Sequence, residues 1–214
     1  MKSVLSPISV AYGLIVDARN ARYDSGRGVI DVGCPVISIG NITAGGTGKT
    51  PMVRWFAEEL IALGRQPAIA LRGYGRGTGA SDEAMEHEAS LPEISVLANP
   101  NRTAAIIQHR AMHPECDVIV LDDGFQHRKV ARSMDVVLID GRRDLEKESL
   151  LPHGRLREPL SSLRRATEVI VTHAEKIDSQ LAEVIHRYHG QEPVAWCNHV
   201  WTGLTRHDSE GVED

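Results

Sequence analysis

From residue 35 onward the chain alternates short apolar runs with stretches of helical periodicity. The runs fall at residues 36–39, 68–71, 94–97, 118–121, 136–139, 169–171 and 194–196. Several are apolar throughout instead of alternating with polar residues, as strands covered by helices on both faces tend to be. The rhythm predicts an α/β fold built on a mainly parallel sheet. The clearest helix follows Thr50, where Val53, Phe56, Ala57, Leu60 and Ile61 keep the i, i+3, i+4, i+7, i+8 spacing; Pro51 suits its first turn and Gly64 its end. Residues 80–93, acidic and weakly patterned, read as a loop. Residues 208–214, with four acids in seven positions, read as a frayed acidic tail.

Ahead of the sheet, Val4, Ile8, Ala11, Tyr12 and Ile15 fall on one helical face, with Lys2, Arg19 and Arg22 at its ends. The pattern alone favours packing of this stripe on its own domain, and it also permits contact with a membrane surface. No stretch approaches the roughly 18 apolar residues of a membrane-spanning helix. Asp17, Arg19 and Arg22 interrupt any signal-peptide pattern, so the segment is expected to be retained. The chain therefore divides into an N-terminal amphipathic helix (1–30), an α/β domain (31–207) and the acidic tail (208–214).

Composition narrows the classes. With 214 residues, 42% hydrophobic and 25% charged, the chain is of ordinary globular type. Lys and Arg number 24 against 29 Asp and Glu, a net charge of −5, which lacks the basic footprint of a dedicated nucleic-acid binder. Cys34, Cys116 and Cys197 are odd in number and without CxxC spacing, so neither a disulfide framework nor a zinc site is indicated, and a reducing cytoplasm fits. The charge is uneven, however: residues 142–165 hold seven cations against four acids, an excess suited to an anionic ligand or membrane headgroup, or to a solvated basic face.

The strongest chemical signal is Thr43-Ala44-Gly45-Gly46-Thr47-Gly48-Lys49-Thr50, lying between an apolar strand and the clearest helix. Glycines in that setting let successive backbone N–H groups turn onto phosphate oxygens, and the helix N-terminus adds its positive dipole end. Lys49 reaches the β and γ phosphates and Thr50 offers a hydroxyl to Mg²⁺. The usual pattern begins with Gly, and here that position is Thr43. A second half of the site is expected at a strand ending in carboxylates, and the run at 118–121 ends in Asp122-Asp123. Adjacent acids repel unless a cation neutralises them, which points to a metal-organising role for Asp122. Phe125-Gln126-His127-Arg128 follows at once, with His127 placed to touch substrate or to order an acid. Arg72, after the run at 68–71, stands at the carboxyl end of a strand, where open α/β sheets bind ligands.

Together these segments resemble the tetraacyldisaccharide 4'-kinase family of lipid A biosynthesis. The resemblance rests on residues 40–51, on Arg72-Gly73-Tyr74-Gly75, on Asp122-Asp123-Gly124-Phe125-Gln126-His127, and on Leu150-Leu151-Pro152-His153-Gly154-Arg155-Leu156-Arg157-Glu158-Pro159, in that order. It runs from Ser6-Pro7 to about His199, and it includes the Thr43 departure. It implies a P-loop α/β kinase that uses ATP and Mg²⁺ to phosphorylate the 4'-hydroxyl of a lipid A disaccharide 1-phosphate, working peripherally at the cytoplasmic face of the inner membrane. It raises the membrane reading of the N-terminal helix. By the same resemblance Ser81-Asp82-Glu83 matches the loop pair that supplies the catalytic base, so Asp82 is the expected base and Asp123 the alternative. The run Ala84-Met85-Glu86-His87-Glu88-Ala89 is more acidic than the family's apolar continuation. Residues 43–50 would bind ATP with Lys49 catalytic, Thr50 and Asp122 would organise Mg²⁺, and Arg72, Gln126, His127 and Arg157 would meet the substrate. Family members continue past the point matching Arg206 into a second small lobe, which this chain is expected to lack. The rival readings are a P-loop nucleotide switch or metal-delivery protein, and a catalytically impaired ATP-binding remnant of the kinase.

Overall fold

A computed structural model describes residues 7–73, 82–198, 206–208 and 211–213. Val4, Ser6, Tyr74, Gly75, Ser81 and His199 lie outside the described residues. Seven strands, β1 (Val36–Asn41), β2 (Pro67–Leu71), β3 (Ser95–Ala98), β4 (Val118–Asp122), β5 (Met134–Asp140), β6 (Glu168–Thr172) and β7 (Ala195–Trp196), form one sheet in the order β3-β2-β4-β1-β5-β6-β7. Every pairing in it is parallel. Each apolar run became a strand. β2 and β4 are buried along their whole length because helices cover both faces.

One face carries α2 (Lys49–Ala62) and α3 (Asp82–Ser90), whose Val53, Ala57 and Ala84 pack with Ile39, Ile69, Val120 and Leu138. The other face carries α4 (Arg102–Met112) and α5 (Ser179–His189), where Ile106 meets Ile119 and Leu121, and Leu181 and Ile185 lie in one cluster with Val137 and Val169. Burying each such side chain contributes roughly 1.5–3 kcal/mol, so alternate residues of one strand stabilise opposite layers. Gly40 on β1 is required by close approach: a Cβ there would lie 2.6 Å from the Phe125 backbone nitrogen. That contact brings the segment after β4 across the end of β1.

Three expectations change. Residues 82–90 are helical, not loop; α3 lacks a strong apolar stripe because its inner face is only Ala84 and a buried histidine, His87. The region of the acidic tail holds two short antiparallel strands, β8 (Arg206–Asp208) and β9 (Gly211–Glu213). The N-terminal helix α1 (Pro7–Asp24) does not bury its apolar stripe: Ser9, Gly13, Val16 and Asn20 face inward, while Ile8, Ala11, Leu14 and Ile15 face out. Its docking is polar. Ser9 Oγ donates to the Leu150 carbonyl at 3.2 Å, Tyr12 Oη to the Arg157 carbonyl at 2.9 Å and Asn20 Nδ2 to Glu158 Oε2 at 2.7 Å. No helix among the described residues is long and apolar enough to cross a membrane.

Candidate active site

The phosphate-loop sequence spans the turn between the central strand β1 and the first residues of α2. Asn41 Nδ2 donates to Thr47 Oγ1 at 2.8 Å, and Thr172 Oγ1 at the end of β6 donates to the Thr47 carbonyl at 3.0 Å. These bonds fix the loop from two strands, β1 and β6, that flank β5. Gly48, with φ 74°, takes the left-handed turn that starts α2 and offers no side-chain cap, so the helix's first N–H groups face the loop unclaimed by a cap. The Thr43 departure has a local reason. Thr43 is buried in an antiparallel bridge with Leu156, and Ala44 N donates to the Arg155 carbonyl at 2.7 Å, so an extended residue serves where other loops turn on Gly.

β4 lies beside β1 with Ile39 opposite Asp122, which sets the two acids next to the loop. They are not equivalent. Asp122 is buried, and its Oδ2 lies 3.0 Å from His87 Nε2, also buried. Asp123, at φ 49°, turns out into the cleft, where Lys49 Nζ stands 3.8 Å away and Arg157 Nη1 donates to both carboxylate oxygens at 2.9 and 2.8 Å. Arg102 Nη1 clamps the backbone of both acids, donating to the Asp122 and Asp123 carbonyls at 2.9 and 3.2 Å. Glu83 belongs to the same cluster: burial, then Asp122 and Asp123, push its carboxyl above the ordinary value, while Lys49 and His87 pull the other way. Asp82 opens α3 one position ahead, exposed.

The candidate substrate residues gather beside this cleft. Arg72, Gln126, His127 and Arg157 line one groove of about 550 Å³ together with Tyr12, Arg19 and Arg102. Gln126 Nε2 donates to the Asn41 carbonyl at 2.9 Å, and its Oε1 accepts from Arg157 at 3.4 Å. His127 Nε2 is buried and finds no hydrogen-bond partner among the described residues. Burial, then the positive charges of Arg102, Arg132, Lys129 and Arg19, push this imidazole down to about 3, so it is neutral at pH 7. The basic excess of residues 142–165 is largely paired inside the domain: Arg142 and Arg143 on Asp140, Arg157 on Asp123, and Arg165 on buried Glu158.

Sequence reasoning missed Arg102, Arg19 and the clasp of His87 on Asp122. The first two carry no local signal, since a cation before or inside a helix is ordinary. The third joins residues 35 apart in the chain.

A divalent cation fits the donor set. Glu83 feels the charge of Asp122 and Asp123, Lys49 and Arg157 engage Asp123, and the buried Asp122 at the end of β4 is a hard oxygen donor to which Thr50 can add a hydroxyl. No group of three or more His, Cys, Asp or Glu among the described residues forms a cage. Mg²⁺ keeps most of its ligands as water and phosphate oxygen, so it asks for few protein groups.

A family model described as tetraacyldisaccharide-1-P 4'-kinase, LpxK, matches residues 1–212. The chain belongs to this family. A tetraacyldisaccharide 4'-kinase of Chlorobium luteolum is 38% identical over 206 residues, covering 85% of this chain and 58% of that protein. One of Geobacter sulfurreducens is 34% identical over 221 residues, covering 94% of this chain and 60% of that protein. The chain thus spans less than two thirds of the length of these curated LpxK relatives. A solved structure of Aquifex aeolicus LpxK in complex with ATP superposes with a TM-score of 0.69 at 24% identity, covering 95% of this chain and 84% of that one, and shows the shared fold.

Proposed function

We propose that the protein is an ATP-dependent kinase that transfers the γ-phosphoryl group to the 4'-hydroxyl of a tetraacyldisaccharide 1-phosphate. The observation that carries the reading is a juxtaposition: an uncapped helix N-terminus whose Lys49 stands beside the strand-end Asp123, and Asp123 in turn lines a groove rich in arginines. Members of the same family bear the activity in their names.

Phosphoryl transfer asks the protein mainly for positioning and charge neutralisation. The amides of residues 43–50 and Lys49 hold the triphosphate. Mg²⁺, when bound by Thr50 and Asp122, neutralises phosphate charge and helps orient the transferring group. The acceptor oxygen bonds to the γ-phosphorus as the bridging oxygen bond to ADP breaks, and the hydroxyl proton passes to a carboxylate. Asp82 suits that role better than Asp123, whose carboxylate is already committed to Lys49 and Arg157. Glu83 adds negative charge beside it.

The groove suits an anionic sugar headgroup. Arg72, Arg102 and Arg157 offer charge and Gln126 an amide. Arg19 and Tyr12 bring α1 to the rim of the same groove, and the outward Ile8, Leu14 and Ile15 suit peripheral contact with the cytoplasmic face of the inner membrane.

The test is incubation of the protein with γ-labelled ATP, Mg²⁺ and a tetraacyldisaccharide 1-phosphate in mixed micelles. Label is expected in the lipid at the 4' position. Failure of the same preparation to bind ATP in a direct titration overturns the reading.

A further inference from the structure

We infer that His87 is a positioning residue: by holding the Asp122 carboxylate it fixes the strand-end acid for a divalent cation and ties it to the helix that carries Asp82 and Glu83. The inference rests on the proposed role of Asp122 at the metal. His87 Nε2 lies 3.0 Å from Asp122 Oδ2, and the two side chains are 1% and 4% exposed. An ionised carboxylate only accepts, so the imidazole N–H is the donor.

A packing role alone does not account for this histidine. α3 is a nine-residue helix whose buried residues are Ala84 and His87, and Ala84 belongs to the apolar cluster of Ile69, Leu71 and Leu91 that an aliphatic side chain one turn along could extend. Burying a polar ring there forfeits apolar contact, and a buried polar pair adds little net stability over a well-packed apolar replacement. What the pair does supply is direction. A carboxylate at a strand end can swing about its χ angles, and a bond on Oδ2 leaves Oδ1 as the oxygen offered elsewhere. Arg102 fixes the backbone of the same residue through its carbonyl, so Asp122 is held at both ends. Partners of this kind orient ligating groups, and their loss typically weakens metal binding by about 10–100-fold.

The second consequence is mechanical. Glu83 precedes His87 by four positions, one helical turn, so both lie on the same side of α3. The electrostatic influence of Asp122, Asp123 and Lys49 on Glu83 places that side toward the cleft. One hydrogen bond therefore sets the distance between the end of α3 that bears the candidate base and the acid at the end of β4.

The experiment measures binding of a fluorescent mant-ATP at fixed concentration as Mg²⁺ is titrated, for the wild type, His87→Leu, His87→Gln and Asp122→Asn, with thermal unfolding of each. His87→Leu is expected to raise the Mg²⁺ concentration for half-maximal binding about 10-fold or more, to leave metal-free mant-ATP binding in EDTA unchanged, and to be partly rescued by His87→Gln, which keeps an N–H donor. An unchanged Mg²⁺ midpoint in His87→Leu, with the midpoint of Asp122→Asn shifted, overturns the role of His87 and leaves that of Asp122 standing. Unchanged midpoints in both overturn the metal role of Asp122 and this inference with it. If His87→Leu does not fold, His87→Asn, too short to reach Asp122, takes its place against His87→Gln, and equal Mg²⁺ midpoints for that pair overturn the inference.

Discussion

Lys49 and Arg157 approach Asp123 from two sides of the cleft, and this arrangement separates the roles of the acids around it. Lys49 is the first residue of α2 and its ammonium faces Asp123 in the cleft, so its truncation removes charge at the site. Lys49→Ala is expected to lower phosphoryl transfer by roughly 10²-fold or more, as loss of one preorganised group at the transition state does, with an unchanged circular dichroism spectrum and melting temperature. Wild-type turnover in this variant overturns the assignment of the phosphate loop. The base is tested by a different split. Asp82→Asn should depress kcat with ATP affinity near wild type, because the carboxylate acts on the acceptor hydroxyl. A larger kcat loss in Asp123→Asn, with Mg²⁺ binding intact, moves the role to Asp123. Phosphate-loop residues such as Lys49 were readable from their local spacing, whereas the clamp of Arg102 on two backbone carbonyls exists only after β4 and α4 have packed.

Among the elements, α1 is the instructive one, because it inverts the usual orientation of an amphipathic helix. Leu14 and Ile15 are 66% and 68% exposed, while Ser9, Gly13 and Asn20 are buried against the loop that carries Arg157 and Glu158. If the outer face binds lipid, Leu14→Asp with Ile15→Asp should reduce sedimentation with anionic phospholipid vesicles by about 10²-fold or more, since each fully buried aliphatic side chain contributes about 1.5–3 kcal/mol. Its melting temperature should stay near wild type. Asn20→Leu is expected to do the reverse: it removes one of the two donors to buried Glu158, leaving only Arg165, destabilises by about 1–3 kcal/mol, and retains vesicle binding. Equal vesicle binding by both variants overturns the lipid role of the outer face. The same helix shows where reading a pattern stops. Seven apolar runs became seven parallel strands, because a strand buried on both faces has one solution for its side chains. A helix docked by hydrogen bonds leaves no such trace, and its stripe pointed outward. α3 was missed for a related reason: with His87 in place of an aliphatic residue its inner face has no period to detect.

Across the whole molecule charge is segregated. A chain of net charge −5 gathers Arg19, Arg102, Lys129 and Arg132 around one imidazole, that of His127. Burial and these cations hold it at about 3 in the folded protein, against about 6.5 in an unfolded chain. Because the folded value is the lower one, the unfolded chain binds the extra proton first. The full stability is present above about pH 6.5 and is lost as pH falls toward 3, with a slope of up to about 1.4 kcal/mol per pH unit for the one group. By pH 4.5 the loss reaches about 2–3 kcal/mol before allowance for partial exposure of the groove. His109, lowered by burial and by His113, adds to the same window. Asp140 acts in another: burial pushes it up, but the hydrogen bonds and charge of Arg142, with His173, bring it down to about 2, so its contribution stays intact above about pH 4 and falls only in stronger acid. Urea unfolding at pH 7, 5.5 and 4.5 is the measurement. Wild-type stability is expected to decline across that range, and His127→Gln, which cannot take up a proton, to decline less, by about 1–2 kcal/mol at pH 4.5. Inorganic pyrophosphate should narrow the difference if it fills the groove, since a bound anion offsets the cations that hold the imidazole neutral. Parallel curves for the two proteins from pH 7 to 4.5 would show that His127 is not buried among these cations in solution, and would remove the basis for placing the anionic headgroup there.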